Sequence, residues 1–247
     1  MTEKKKRCTA IILAAGSGSR MHSSMPKQFM SLGGRPLICH ALQAVEESPI
    51  IDDCILVVAE RDEDYVRIHI LEKYGFRKVV SLVSGGDERY LSVGKALRVL
   101  EMGKMPVPNR DGYVFIHDGA RPFLTQRILQ DTYEAVEKYH ACVAAIPSKD
   151  TVKIADEEGF AVKTPDRKNV WSIQTPQVFD VELIVDAYRM LEANQERLKK
   201  EGIMVTDDAG VVELFTSRKV KLVKGSYENI KITTWEDMKV AEAFLKE

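Results

Sequence analysis

Five short apolar runs recur along the chain, and a helical pattern follows each of the first four. The runs are Cys8–Ala14, Cys54–Ala59, Lys78–Val83, Tyr113–His117 and Ala141–Ile146. Nearly uncharged runs of this length are what strands buried on both faces look like. Between them, Pro36–Glu47 places Leu37, Ile38, Ala41, Leu42 and Val45 on one helical face behind an initial proline. Arg61–Tyr74 reads as a second helix, and Glu88–Met102 as a third with Leu91, Ala96, Leu97 and Leu100 inward. Thr125–Tyr139 reads as a fourth, with Thr125 suited to cap it. Such alternation restricts the chain to the α/β class: a Rossmann-like, mostly parallel twisted sheet with helices on both faces. At 247 residues the chain can fill one such domain.

The rhythm breaks near Ser148. Thr151–Ile154 and Phe160–Lys163 read as a hairpin around Asp156-Glu157-Glu158-Gly159. With charged sides and little core of its own, that hairpin is expected to project as a β-arm and to pack on a second copy of the protein. Beyond it the pattern gives a long helix at Val181–Glu201, a shorter one at Asp207–Phe215, a strand at Val220–Val223 and a last helix from Thr233 or Thr234. The reading is one domain over residues 1–247, with the arm inserted at about 149–178.

Charge narrows the partners. Lysine and arginine number 36 against 37 aspartates and glutamates, a net charge of −1. That balance gives no reason to expect nucleic acid or an anionic membrane surface as a partner. No apolar stretch approaches the ~20 residues of a membrane span. Cys8, Cys39, Cys54 and Cys142 form no C-x-x-C pair, and the last three sit in apolar segments as small hydrophobes. The basic start, Lys4-Lys5-Lys6-Arg7, lacks the long apolar region of a signal peptide, so a cytoplasmic location is expected.

In an open parallel sheet, ligands sit beyond the carboxyl ends of the strands. Four polar clusters fall there. The first is Ala14-Ala15-Gly16-Ser17-Gly18-Ser19-Arg20-Met21, soon followed by Lys27. Small residues let the backbone approach a ligand, and two fixed cations beside a loop suit a polyphosphate. The loop is not a Walker A loop, since no Gly-Lys-Ser/Thr follows. Nor is it a dinucleotide fingerprint, because Met21 stands where the third glycine belongs. The other clusters are Gly85-Gly86-Asp87-Glu88-Arg89 with Ser92, then His117-Asp118-Gly119-Ala120-Arg121, then Lys149-Asp150-Thr151-Val152-Lys153. Asp118 suits a helix terminus, a ribose hydroxyl or a divalent cation. His117 has no second histidine at zinc-ligand spacing. Thr206-Asp207-Asp208 reads first as a helix cap. No Gly-x-Ser-x-Gly elbow or Ser/Cys–His pair supports hydrolase chemistry.

These clusters occur in one order with Pro26-Lys27-Gln28, Trp171, Gln174-Thr175-Pro176-Gln177, Thr206-Asp207-Asp208-Ala209 and Asn229-Ile230-Lys231-Ile232-Thr233. In that combination the chain resembles the 2-C-methyl-D-erythritol 4-phosphate cytidylyltransferase family of the non-mevalonate isoprenoid pathway. The resemblance implies a reaction of CTP with methylerythritol phosphate that gives the CDP-sugar alcohol and pyrophosphate. It implies Mg2+ or another divalent cation, held mainly through the CTP phosphates rather than by a dedicated protein cage. It implies catalytic roles for Arg20, Lys27, Arg167 and Lys231, the first two at the triphosphate. Nucleotide contacts would come from Ala14, Ala15, Gly16 and Gly18 at the phosphates, Gly86, Asp87 and Ser92 at cytosine, and Asp118 and Gly119 at the ribose. Arg121, Thr151, Arg167, Thr175 and Lys231 match the acceptor positions. It also implies a homodimer in which the arm reaches the neighbouring site.

Two other readings stay open at this level. A ribitol-5-phosphate cytidylyltransferase shares the loop and the Gln-Thr-Pro-Gln segment; the arm and Asp166-Arg167…Trp171 favour the methylerythritol enzyme. A catalytically silent nucleotide-binding regulator would keep the fold, but Arg20, Lys27, Asp118 and Lys231 are all present. Gly119 and Trp235 depart from residues frequent in the family, and neither removes a charged position.

Overall fold

The computed structural model describes residues 5–16 and 25–246. Strand β1 (Cys8–Ala14) lies inside a seven-stranded sheet. A small hairpin, β2 (Ser31–Leu32) and β3 (Arg35–Pro36), leads into α1 (Leu37–Glu47). Then come β4 (Asp53–Val58), α2 (Glu63–Val66), β5 (Val79–Ser84), α3 (Arg89–Glu101), β6 (Tyr113–Asp118), α4 (Gln126–Tyr139) and β7 (Ala141–Pro147). The stretch read as one helix over Arg61–Tyr74 winds in three ways: a 3-10 turn at Glu60–Asp62, α2, and wider π-type turns at Arg67–Glu72. Thr125 caps α4 as expected, accepting a hydrogen bond from the Ile128 amide.

The arm hairpin is β8 (Ile154–Ala155) and β9 (Ala161–Lys163), shorter than the pattern suggested. Its turn forms as read: the Asp156 carboxylate accepts from the amides of Glu158 and Phe160, and Gly159 takes a φ of 89°. The arm does not extend to residue 178. Trp171–Asp180 is instead β10, a ten-residue strand inserted between β7 and β6. Pro176 and two glutamines disguise it, because proline argues against a central strand. The strand accommodates Pro176 through an irregular register between Ile173 and Gln177. Last come α5 (Val181–Glu201), α6 (Asp208–Phe215), β11 (Lys221–Lys224) and α7 (Trp235–Phe244).

The sheet order is β11-β7-β10-β6-β1-β4-β5. Every neighbouring pair is parallel except the two that involve β10. Side chains alternate across the strands, so each face carries a core. Ile12, Leu56 and Phe115 pack under α1, α2 and α4 on one face. Ile11, Val57, Val114 and Phe179 pack under α3, α5 and α6 on the other. A third cluster seats Met238 and Ala241 of α7 on Leu32 and Leu37. This packing brings the ends of β1, β5 and β6 together at one rim.

Candidate active site

A cleft of about 630 Å3 opens at that rim. One wall is the end of β1, with Ala14, Ala15 and Gly16. The opposite wall is the turn after β5, with Gly86, Asp87 and Ser92. The two walls approach so closely that a Cβ on Gly85 would lie 2.3 Å from the Ala15 Cβ. Ser92, on the first turn of α3, holds the glycine turn by accepting from the Gly86 amide at 3.0 Å. Lys27 stands at the cleft and donates to the Ile232 carbonyl at 2.9 Å.

The floor is built on Asp118, the last residue of β6. Its carboxylate faces three cations: Lys231 at 2.8 Å, Arg89 at 3.1 Å and Arg121 at 3.9 Å. Burial alone would raise its pKa; Arg89, Lys231 and Arg121 overcome that and hold the carboxyl well below the usual carboxylate range. Asp118 is therefore an anion across the working pH range. Arg89 is itself fixed from behind. It donates to both oxygens of Asp208, at 2.9 and 2.7 Å, and Tyr188 donates its hydroxyl to the same carboxylate at 2.6 Å.

A second cavity of about 410 Å3 lies on the far side of this charged wall and shares Arg89, Asp118 and Lys231 with the first. Arg121, Gln174, Thr175 and Gln177 line it together with the apolar Val143 and Ile173. The loop that carries Lys231 is stitched to this wall. Arg121 donates to the Asn229 carbonyl at 2.7 Å, Gln174 to the Ser226 carbonyl at 2.8 Å, and the Asn229 side chain to the Thr175 carbonyl at 2.9 Å. An anion entering either cavity meets cations that are already in place, so reorganisation at the moment of reaction is small.

Thus the structure gathers Ala14, Ala15, Gly16, Lys27, Gly86, Asp87, Ser92, Asp118 and Lys231 around one cleft, and Arg121 and Thr175 beside it. Gly119 is next to the cleft but not on its wall. It turns inward and donates its amide to the Leu13 carbonyl at 2.8 Å, where a Cβ would come within 2.9 Å of that oxygen. Thr151 and Arg167 line neither cavity. Both are exposed on the arm, where Arg167 donates to the Lys149 carbonyl at 3.3 Å. Arg20 and Gly18 lie outside the described residues. Thr206-Asp207-Asp208 does cap a helix, with Asp207 accepting from the Gly210 amide at 2.9 Å. The sequence reading put Arg89 in a rim cluster and Asp208 in a helix cap but did not pair them; an arginine at the head of a helix beside the rim was the available signal.

The sequence model of the 2-C-methyl-D-erythritol 4-phosphate cytidylyltransferase family (IspD) matches residues 8–247. The chain belongs to this family. A family member of that name from Lachnospira eligens is 48% identical over 238 residues, which covers 96% of this chain and 99% of the relative. Another from Lachnoclostridium phytofermentans is 43% identical over 242 residues, 98% of this chain and 97% of the relative. Among solved structures, 4-diphosphocytidyl-2C-methyl-D-erythritol synthase from Anaerococcus prevotii matches with a TM-score of 0.82 at 38% identity, over 99% of this chain and 100% of that one. The Rossmann-like fold is that of the family's solved structures.

Proposed function

We propose that this chain joins CTP and 2-C-methyl-D-erythritol 4-phosphate, releasing pyrophosphate. The observation that carries the reading is the charged wall itself. It places Asp118, Lys231 and Arg89 between two confluent cavities, one of which is bounded by a small-residue loop. The nucleotide occupies the larger cavity, with its triphosphate along Ala14–Gly16 and Lys27, cytosine against the Gly86–Asp87 turn and Ser92, and ribose hydroxyls at Asp118. Arg20 and Gly18 belong to the same phosphate loop by their place in the sequence. The acceptor phosphate lies toward Arg121 and Lys231.

A phosphate oxygen of the acceptor attacks the α-phosphorus in line; a P–O bond forms there, the bond to the β-phosphate breaks, and pyrophosphate departs. The nucleophile is already an anion, so no side chain has to remove its proton. The chain's work is to bring two anions together and to hold the charge that builds at the α-phosphate, through Lys27, Lys231, Arg121 and Arg20.

Mg2+ fits this site as a companion of the phosphates. Among the described residues no group of three or more His, Cys, Asp or Glu side chains is placed to hold a metal ion, and Asp118 is already engaged by cations. Magnesium bound to a nucleotide keeps phosphate oxygens and water as most of its ligands. When bound, it supplies charge neutralisation at the triphosphate.

The arm completes the acceptor site of a second copy. Phe160 and Val162 are 68% and 62% exposed on a two-stranded hairpin that has no core of its own. The same arm carries Thr151 and Arg167, which line neither of this chain's own two cavities. A homodimer that buries those apolar residues accounts for both facts. Four free, buried cysteines agree with a reducing, cytoplasmic location, and among the described residues no helix is long and apolar enough to cross a membrane.

The test is pyrophosphate release from CTP with Mg2+, with methylerythritol 4-phosphate and ribitol 5-phosphate supplied separately. Release with the first alone is the expected result. Release with ribitol phosphate alone overturns the acceptor, and silence with both overturns the activity.

A further inference from the structure

His117 is buried one residue before Asp118 and lines neither cavity, yet both of its ring nitrogens are engaged. Nε2 lies 3.1 Å from the Arg121 carbonyl, and Nδ1 lies 2.9 Å from the Thr175 hydroxyl. We infer that His117 is a positioning residue of the transfer reaction, which as its neutral Nε2–H tautomer braces the nucleotide-side Asp118 through the Thr175 hydroxyl and holds the acceptor-side Arg121 by its carbonyl. The inference rests on the roles given to those two residues above.

The tautomer follows from the partners. A backbone carbonyl only accepts, so Nε2 carries the proton. Burial favours the uncharged ring, with a pKa lowered to about 4, so at neutral pH Nδ1 is bare and accepts the Thr175 hydroxyl proton. That leaves the Thr175 oxygen to accept from the Asp118 amide, which lies 3.1 Å away. The threonine hydroxyl is thereby committed at both ends. It acts as a strut under Asp118 rather than as a hydrogen-bond donor to substrate.

The strut is needed because the sheet ladder stops short. β6 pairs with β10 from Tyr113–Asp180 to Ile116–Gln177, and β10 is irregular between Ile173 and Gln177. Asp118 therefore turns to a side chain where a regular ladder would offer a carbonyl, and a buried amide without a partner would be costly. On its other side, the Nε2–H bond spans the tight turn from His117 to Arg121, in parallel with the Arg121 amide donating to the Asp118 carbonyl at 2.9 Å. One ring thus ties together the two arms of the wall.

Three variants separate the arms. In His117→Asn, the amide oxygen takes the place of Nδ1 but the side chain falls short of the Arg121 carbonyl. The KM for the acceptor should rise about tenfold, with the KM for CTP within about twofold of wild type. In His117→Gln, the longer amide donates to that carbonyl but leaves Thr175 without its acceptor, and the pattern should invert. Thr175→Val keeps the ring and should match the Gln pattern. A common shift of both KM values in all three, or lowered melting temperatures with unchanged KM values, overturns the proposal. The tautomer is read separately, by long-range 15N–1H correlation on the unmodified protein at neutral pH. A protonated Nε2 with a bare Nδ1 is expected, and an Nδ1–H or doubly protonated ring overturns the proposal. That spectrum requires no turnover, so an inactive wild type would refute the functional reading while leaving the tautomer result to stand or fall alone.

Discussion

The pair behind Asp118 gives a quantitative test. Asp208 is fully buried, while the Arg89 side chain keeps 26% of its surface exposed. Arg89→Met leaves the Asp208 anion in the interior with Tyr188 bonded to it; Asp208→Asn keeps the shape but removes one of the two carboxylates that Arg89 faces, the other being Asp118. Breaking one side of a buried pair costs about 3–5 kcal/mol, and the partial exposure of Arg89 places each variant near ~3 kcal/mol. At roughly 2–4 °C per kcal/mol for a domain of this size, each should melt about 6–12 °C lower. The double variant no longer holds an unpaired charge, so it should lose about 2 kcal/mol less than the sum of the singles. Urea unfolding of all four proteins measures this coupling directly. Additivity within ~0.5 kcal/mol would mean that the two residues do not act as a unit, and the account of Arg89 as anchored from behind would fail.

Lys27→Ala should lower kcat by about a hundredfold or more with the protein still folded, since its charge acts on the transition state; steady-state turnover beside a melting curve checks this, and near-normal kcat refutes the role. Gly85→Ala forces the Gly85 turn away from Ala15 and should destabilise by about 1–3 kcal/mol while raising the KM for CTP; an unchanged KM with intact stability refutes the close approach. Arg167→Ala should raise the KM for the acceptor well above any change for CTP, and equal changes would remove Arg167 from the acceptor site.

The sheet was legible wherever one rule governed a segment. Continuous apolar runs gave β1, β4, β5, β6 and β7, and the 3.6-residue spacing gave α1, α3 and α4. β10 was hidden because three demands meet in it. Gln174 reaches the loop of Lys231, Thr175 supports Asp118, and Pro176 occupies the irregular register between them. A strand built for such contacts loses the apolar signature that identifies strands. The rim was legible through its glycines and cations, because ligand approach constrains them locally. The pairing of Arg89 with Asp208 was not, since they lie 119 positions apart and only tertiary packing makes them neighbours. The resemblance placed Thr151 and Arg167 at the acceptor site with the arm reaching a neighbouring copy, and within this chain neither residue lines a cavity.

The strap from Ser226 to Ile232 carries a consequence for synthesis. One wall of the cleft comes from Ala14 to Gly16, and the cation that completes it, Lys231, is translated much later in the same chain. Gln174 and Arg121 lack their Ser226 and Asn229 partners until that strap arrives. A growing chain on the ribosome can build the sheet through β6 and still lack the cation that faces Asp118 at 2.8 Å. Catalytic competence therefore waits for the strap, however early the sheet has formed.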